Sequence, residues 1–89
     1  MLKITKIQES ERDVLLRLEG KITKQWAALL DGECRAYLRR HKTVFLDCSQ
    51  VDYIDGRGVE VLNAFPPSSV TLMSAPALMT ELLHLGGRS

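Results

Sequence analysis

The sequence has no excess of charge of one sign. Its 89 residues include 12 lysines and arginines against 11 aspartates and glutamates, a net charge of +1. The broad basic surface typical of nucleic-acid-binding domains is therefore missing. The one basic cluster, residues 39–42 (RRHK), falls where a helix should end, and cations there complement the helix dipole. We expect no nucleic-acid partner.

Long apolar runs are also absent. No stretch approaches the ~20 apolar residues that span a bilayer, and the opening "MLKITKIQES" lacks the apolar core of a signal peptide. These absences predict a cytoplasmic chain without direct membrane insertion.

Cysteine is scarce and recognisable catalytic motifs are missing. Cys34 and Cys48 have no metal-ligand spacing, and each falls on an apolar position, so we expect small buried side chains. No Ser-His-Asp order, C-x-x-C or H-E-x-x-H is present. We expect no enzyme activity, cofactor or metal, and one domain over residues 1–89.

Hydrophobic patterning predicts seven elements in the order β-β-α-β-α-β-α. "TVFLDC" is apolar on both faces, which predicts a strand covered on both sides, and Thr23 is the expected N-cap of the first helix. The predicted strands cover residues 2–8, 14–20, 43–48 and 68–74, and the predicted helices cover residues 24–40, 59–65 and 76–85, the last ended by Gly86-Gly87.

This alternation predicts an α/β fold. An opening hairpin followed by β-α-β crossovers gives a mixed sheet of about four strands flanked by three helices. In open α/β sheets, ligands and partners gather at the carboxyl ends of the strands. The stretch "VDYIDGRGVE", residues 51–60, lies at that end of the third strand.

Residues 55–58 form an Asp-Gly-Arg-Gly turn before the second helix. Asp55 is placed to cap the helix, and Gly56 and Gly58 allow positive φ angles or a close approach of the backbone. Arg57 is expected to project from the turn. From the residue types alone, a recognition loop and a purely structural β-α turn are equally good interpretations.

"TVFLDCSQVDYIDGRGVEVL" resembles the core motif of STAS domains, the fold of anti-sigma factor antagonists and of the cytoplasmic tails of sulfate transporters. In that family a strand ending in Asp-Leu-Ser is followed by a loop and by Asp-Ser-Ser-Gly-Leu at a helix start. Asp47-Cys48-Ser49 is similar to the first element, and Asp55, Gly58 and Val59 match the second. "VLLRLEGKIT" and "APALMTELLHLGG" also resemble family segments, but the usual last strand and helix are missing.

The departure from the family pattern concerns its phosphorylation site. Phosphorylatable antagonists carry the target serine where this chain has Arg57, and Gly56 replaces the preceding serine. The resemblance thus implies a partner-binding loop without phospho-switching, in which Arg57 is a fixed positive charge. The residues expected to bind the partner are Asp52, Tyr53, Asp55, Gly56, Arg57, Gly58 and Glu60.

Three functions follow from the resemblance. The first is a non-catalytic interaction module that binds a regulatory partner, either an anti-sigma factor kinase or another STAS-containing complex, through residues 52–60 and the following helix. The second is the small STAS subunit beside the ATPase of a phospholipid-transport ABC transporter. The third, an enzyme or a nucleotide-binding domain using the start of the helix at residues 55–58, lacks a visible base or metal site. The missing final strand further suggests a homodimer.

Overall fold

The computed structural model describes residues 1–81. The last predicted helix begins after Pro76 as expected, but its predicted continuation to residue 85 and its Gly86-Gly87 end lie outside the described residues. The observed elements are β1 (Leu2–Glu9), β2 (Asp13–Ile22), α1 (Lys24–Arg39), β3 (Thr43–Ile54), α2 (Gly56–Asn63), β4 (Val70–Met73) and α3 (Ala77–Thr80).

The four strands form one mixed sheet in the order β1-β2-β3-β4. β1 and β2 pair antiparallel as the predicted hairpin, whereas β2–β3 and β3–β4 are parallel. The connections from β2 to β3 and from β3 to β4 each lead to the adjacent strand, and both move in the same direction across the sheet. Right-handed crossovers therefore put α1 and α2 on the same face of the sheet.

Within residues 1–81 the opposite face of the sheet stays partly exposed, so for the part of the chain that the structure describes the prediction that "TVFLDC" is covered on both sides was wrong. Val44, Leu46 and Cys48 are fully buried on the helix side. Phe45, which points to the other face, is partly exposed and borders an open groove of about 350 Å³ with Leu15 and Met73. The apolar run correctly predicted a strand. It could not show that the helices of both crossovers lie on the same face of the sheet.

The core lies between the sheet and the helices. Along β2, Val14, Leu16 and Leu18 are at most 1% exposed, as the alternation predicted. Cys34 and Cys48 are completely buried, as expected, and desolvation raises the pKa of each thiol to about 12. Both cysteines therefore behave as small apolar residues.

β3 is longer than predicted, because it continues through residues 49–54 that the sequence places in a loop. Its pairing with β2 shifts register twice, between Arg17 and Glu19 and between Gly20 and Lys21. These irregularities accommodate extra β3 residues, and Gly20 has a φ of +107° at the second one. The two strands then stay paired as far as Ile22 and Ile54.

The basic cluster after α1 is held by Glu9. Its carboxylate lies 2.9 Å from Lys42 Nζ, 3.2 Å from an Arg40 terminal nitrogen and 2.8 Å from Lys6 Nζ, and Lys42 also donates to the Ser10 carbonyl. Hydrogen bonds from Lys6 and Lys42 lower the pKa of Glu9 to about 2. The cluster thus joins the end of β1 to the end of α1, a structural role.

Replacing Glu9 with glutamine should change how stability depends on pH. Because the folded pKa of about 2 lies below the ordinary 4.5, the stabilisation from Glu9 is complete above pH 4.5 and disappears as the pH falls towards 2. We expect Glu9→Gln to lower the free energy of unfolding near neutral pH, by an amount that shrinks through this window. Urea denaturation at several pH values measures it.

The matched control is Glu11→Gln, two residues later in the turn between β1 and β2. Glu11 is exposed and makes no ion pair within residues 1–81, so this variant should follow the wild type at every pH. A Glu9→Gln deficit that stays constant from pH 7 down to pH 2 would show that the ion pairs do not stabilise the fold.

Candidate functional site: the start of helix α2

Asp55 caps α2 as predicted. Its Oδ1 accepts a hydrogen bond of 2.8 Å from the backbone N–H of Gly58, and α2 begins at Gly56. The Asp-Gly-Arg-Gly segment is therefore the first turn of the helix rather than a turn that precedes it. Three residues of the predicted site, Gly56, Arg57 and Gly58, thus lie on a regular helix.

The second oxygen of Asp55 caps the other large helix. Oδ2 accepts a hydrogen bond of 3.2 Å from the backbone N–H of Lys24, the first residue of α1. Thr23 occupies the N-cap position there, as predicted, but its side chain makes no capping hydrogen bond. One carboxylate consequently holds the N-termini of α1 and α2 together.

The two glycines of the turn have different roles. A Cβ atom on Gly58 would lie 2.5 Å from the Ile22 carbonyl oxygen and 2.7 Å from Ile54 Cγ1, whereas one on Gly56 would meet nothing within 4 Å. Neither has a positive φ angle. The expected close approach of the backbone therefore holds for Gly58 alone, which packs α2 against the ends of β2 and β3.

Arg57 projects into solvent from the first turn of α2, as expected. Its side chain is 61% exposed, and its Nη1 lies 3.6 Å from Oε1 of Glu60, which is 74% exposed. Within residues 1–81 the guanidinium makes no hydrogen bond. An exposed pair of this kind contributes at most about 1 kcal/mol, so Arg57 can exchange Glu60 for another carboxylate.

Asp52 and Tyr53 lie beside this turn on the last part of β3, not in a loop. Both are exposed. Lys21 of the neighbouring strand lies 3.2 Å from an Asp52 oxygen and 6.0 Å from the centre of the Tyr53 ring. The structure therefore brings the predicted residues to one end of the sheet, and it adds Lys21, which no sequence motif marked.

α1 contributes further residues that the sequence did not single out. A groove of about 250 Å³ runs between α1 and α2. The i, i+4 spacing of Asp31 and Arg35 was the available signal, since such pairs interact on a helix. The groove is lined by Ala28, Asp31, Arg35, Arg57, Glu60, Val61 and Ala64.

Asp47 is separate from this site. It accepts a hydrogen bond of 3.0 Å from the Ser49 N–H and lies 3.5 Å from Arg17 Nε, and these contacts, that from Ser49 first, lower its pKa. Asp47, Asp52 and Asp55 are close in sequence, but the first two lie five residues apart on β3 and Asp55 follows its end. Within residues 1–81 no group of three or more His, Cys, Asp or Glu residues is arranged to hold a metal.

Fold and site together define a small α/β module with an exposed helix start at the carboxyl end of its sheet. The chain belongs to the STAS family, since the family model described as "Mlab, STAS domain" matches residues 5–88. The resemblance of residues 43–62 to the STAS motif is thereby confirmed.

The chain is also similar to a solved structure titled "Structure of the Anti-Sigma Factor Antagonist SpoIIAA in its Unphosphorylated Form". The two share 12% sequence identity and superpose with a TM-score of 0.76, over 97% of this chain and 86% of that one. At this identity the likeness shows the fold alone. No curated protein matches the chain, and none of the helices within residues 1–81 is long and apolar enough to cross a membrane.

Proposed function

We propose that this STAS domain is a non-catalytic module that binds a regulatory protein partner through residues 52–60 and α2. The observation that carries the proposal is the start of α2: Asp55 caps it and also accepts from the first residue of α1, while Arg57 and Glu60 face solvent. A preorganised surface binds with a smaller loss of conformational entropy. This function requires the cytoplasmic location that the sequence predicts.

The first candidate partner is an anti-sigma factor kinase. The fold likeness to an anti-sigma factor antagonist supports this choice. Phosphorylation would bring about −1.5 to −2 charges to a docking surface, but residues 56–58 are Gly, Arg and Gly and hold no hydroxyl group. Binding is therefore constitutive at this turn and is controlled by the amount of each protein.

The second candidate partner is the ATPase of a phospholipid-transport ABC transporter, with this chain as a small assembly subunit. The same lack of a hydroxyl group at residues 56–58 favours this candidate. A structural subunit needs no phospho-switch, whereas an antagonist of the regulated kind depends on one.

The experiment that decides between the candidates is affinity purification of the tagged chain from its native host, followed by mass spectrometry. Recovery of an anti-sigma factor kinase supports the first candidate, and recovery of a transporter ATPase supports the second. Repeating the purification with an Asp55→Ala variant separates specific partners from background. A chain that recovers neither partner, with the wild type folded, contradicts the proposal.

Substitutions of Arg57 test the docking surface with the recovered partner. We expect Arg57→Ala to weaken binding about tenfold, as truncation of a central interface arginine commonly does, and Arg57→Glu to weaken it further through charge reversal. Isothermal titration calorimetry measures both. Arg12→Ala, an exposed arginine in the β1–β2 turn, is the matched control and should bind like the wild type. Unchanged affinity of both Arg57 variants would exclude this turn from the interface.

A further inference from the structure

The groove between α1 and α2 brings together two arginines from different helices. Arg35 of α1 and Arg57 of α2 both line it, along with the carboxylates of Asp31 and Glu60. Asp55 ties the N-termini of the two helices together, so the groove is formed before any partner arrives. The formal charges of these four side chains sum to zero. What the groove can bind therefore depends on which of their hydrogen-bond donors and acceptors are unused.

Arg35 leaves donors unused while satisfying its acidic neighbour. Its Nε donates to both oxygens of Asp31, at 3.1 and 3.0 Å, and its Cζ lies 5.2 Å from the centre of the Phe65 ring. The two terminal nitrogens make no hydrogen bond within the described part of the chain. Because a guanidinium has five N–H donors and no acceptor, this pair has spare donors.

Arg57, on the other side of the groove, also has unused N–H donors. Its contact with Glu60 spans 3.6 Å, which is beyond hydrogen-bonding distance for a charged pair. Both side chains are well exposed, so the pair breaks at little cost in free energy. Within residues 1–81 the only hydrogen bonds among these four side chains are those from Arg35 Nε to Asp31, so the two walls together offer more unused N–H donors than unused carboxylate acceptor sites.

We infer that this groove binds an acidic segment of the protein partner, with a partner carboxylate held between Arg35 and Arg57. Planar guanidinium groups bind carboxylates through paired N–H donors. The small side chains of Ala28 and Ala64 at the groove let the partner backbone come close. This inference rests on the proposed function, adds α1 to the docking surface and specifies the partner's charge.

The test is an NMR titration of the ¹⁵N-labelled chain with a glutamate-rich helical peptide and with its glutamine analogue. We expect the side-chain Nε–H signals of Arg35 and Arg57 to shift together with the glutamate peptide alone. Arg35→Gln should weaken peptide binding about fivefold, the upper range for an exposed charge pair. Arg12→Ala is the matched control and should leave binding unchanged.

Each outcome decides the inference. Shifts of Arg57 without Arg35 would remove α1 from the docking surface and leave the proposed function intact. Equal shifts with the glutamine peptide, or no shifts with either, would overturn the recognition of an acidic segment. The proposed function is judged separately by the affinity purification, because recovery of a partner does not depend on this peptide.

Discussion

Gly58→Ala should destabilise the fold by about 2 kcal/mol, within the range for overpacking a close contact. The added Cβ would meet the Ile22 carbonyl oxygen at 2.5 Å, and that oxygen already accepts a hydrogen bond from the Asp55 N–H. The neighbour is backbone at the end of β2, so it cannot rotate away as a side chain would. Urea denaturation followed by circular dichroism measures the loss.

Gly56→Ala is the matched control two residues earlier. Its Cβ would meet nothing within 4 Å, and alanine has a higher helix propensity than glycine by up to about 1 kcal/mol. We expect unchanged or slightly higher stability. Equal destabilisation by both variants would contradict the distinction between a packing glycine and an open one.

Asp55→Ala should lower the free energy of unfolding by about 2 kcal/mol, since loss of a helix cap commonly costs ~1 kcal/mol and this residue caps two helices. We also expect this variant to lose partner binding, because Asp55 would no longer hold the start of α2 and the groove between α1 and α2 in place. Denaturation and titration calorimetry on the same variant measure the two effects.

Asp55→Asn distinguishes one cap from two. Gly58 and Lys24 donate to different oxygens of Asp55, and asparagine places an NH2 donor at one of these two positions, so one of the two bonds is lost. We expect a stability between those of the wild type and Asp55→Ala. Asp52→Ala, which loses one exposed ion pair with Lys21, should cost less than about 1 kcal/mol. If Asp55→Asn matches the wild type, the bond to Lys24 contributes nothing.

The features predictable from the sequence were local ones. The alternation of Val14, Leu16 and Leu18 predicted the buried face of β2, and Asp55 before a helical pattern predicted a cap. Element order then predicted the mixed sheet, because a hairpin followed by β-α-β units has few possible arrangements. The first two of these signals lie within a few residues of what they predict, and the third needs only the order of the elements.

The remaining features depend on contacts between distant segments. The extension of β3 through Asp52 depends on register shifts against β2, which a polar stretch such as Ser49-Gln50 does not reveal. The second cap made by Asp55 joins residues 31 positions apart. Gly58 and Gly56 look equivalent in sequence, and only the close contacts of Gly58 with Ile22 and Ile54 distinguish them. That residues 1–89 form one domain stays a prediction.

The spatial order of the strands, β1-β2-β3-β4, repeats their order along the chain. Each strand after β1 therefore finds a pairing strand that has already been synthesised when it leaves the ribosome. Loop closure then involves one hairpin or one crossover helix at a time, which keeps its entropic cost low. The sheet can grow vectorially during translation, with the β1–β2 hairpin as its template and β4 as the last strand of the series.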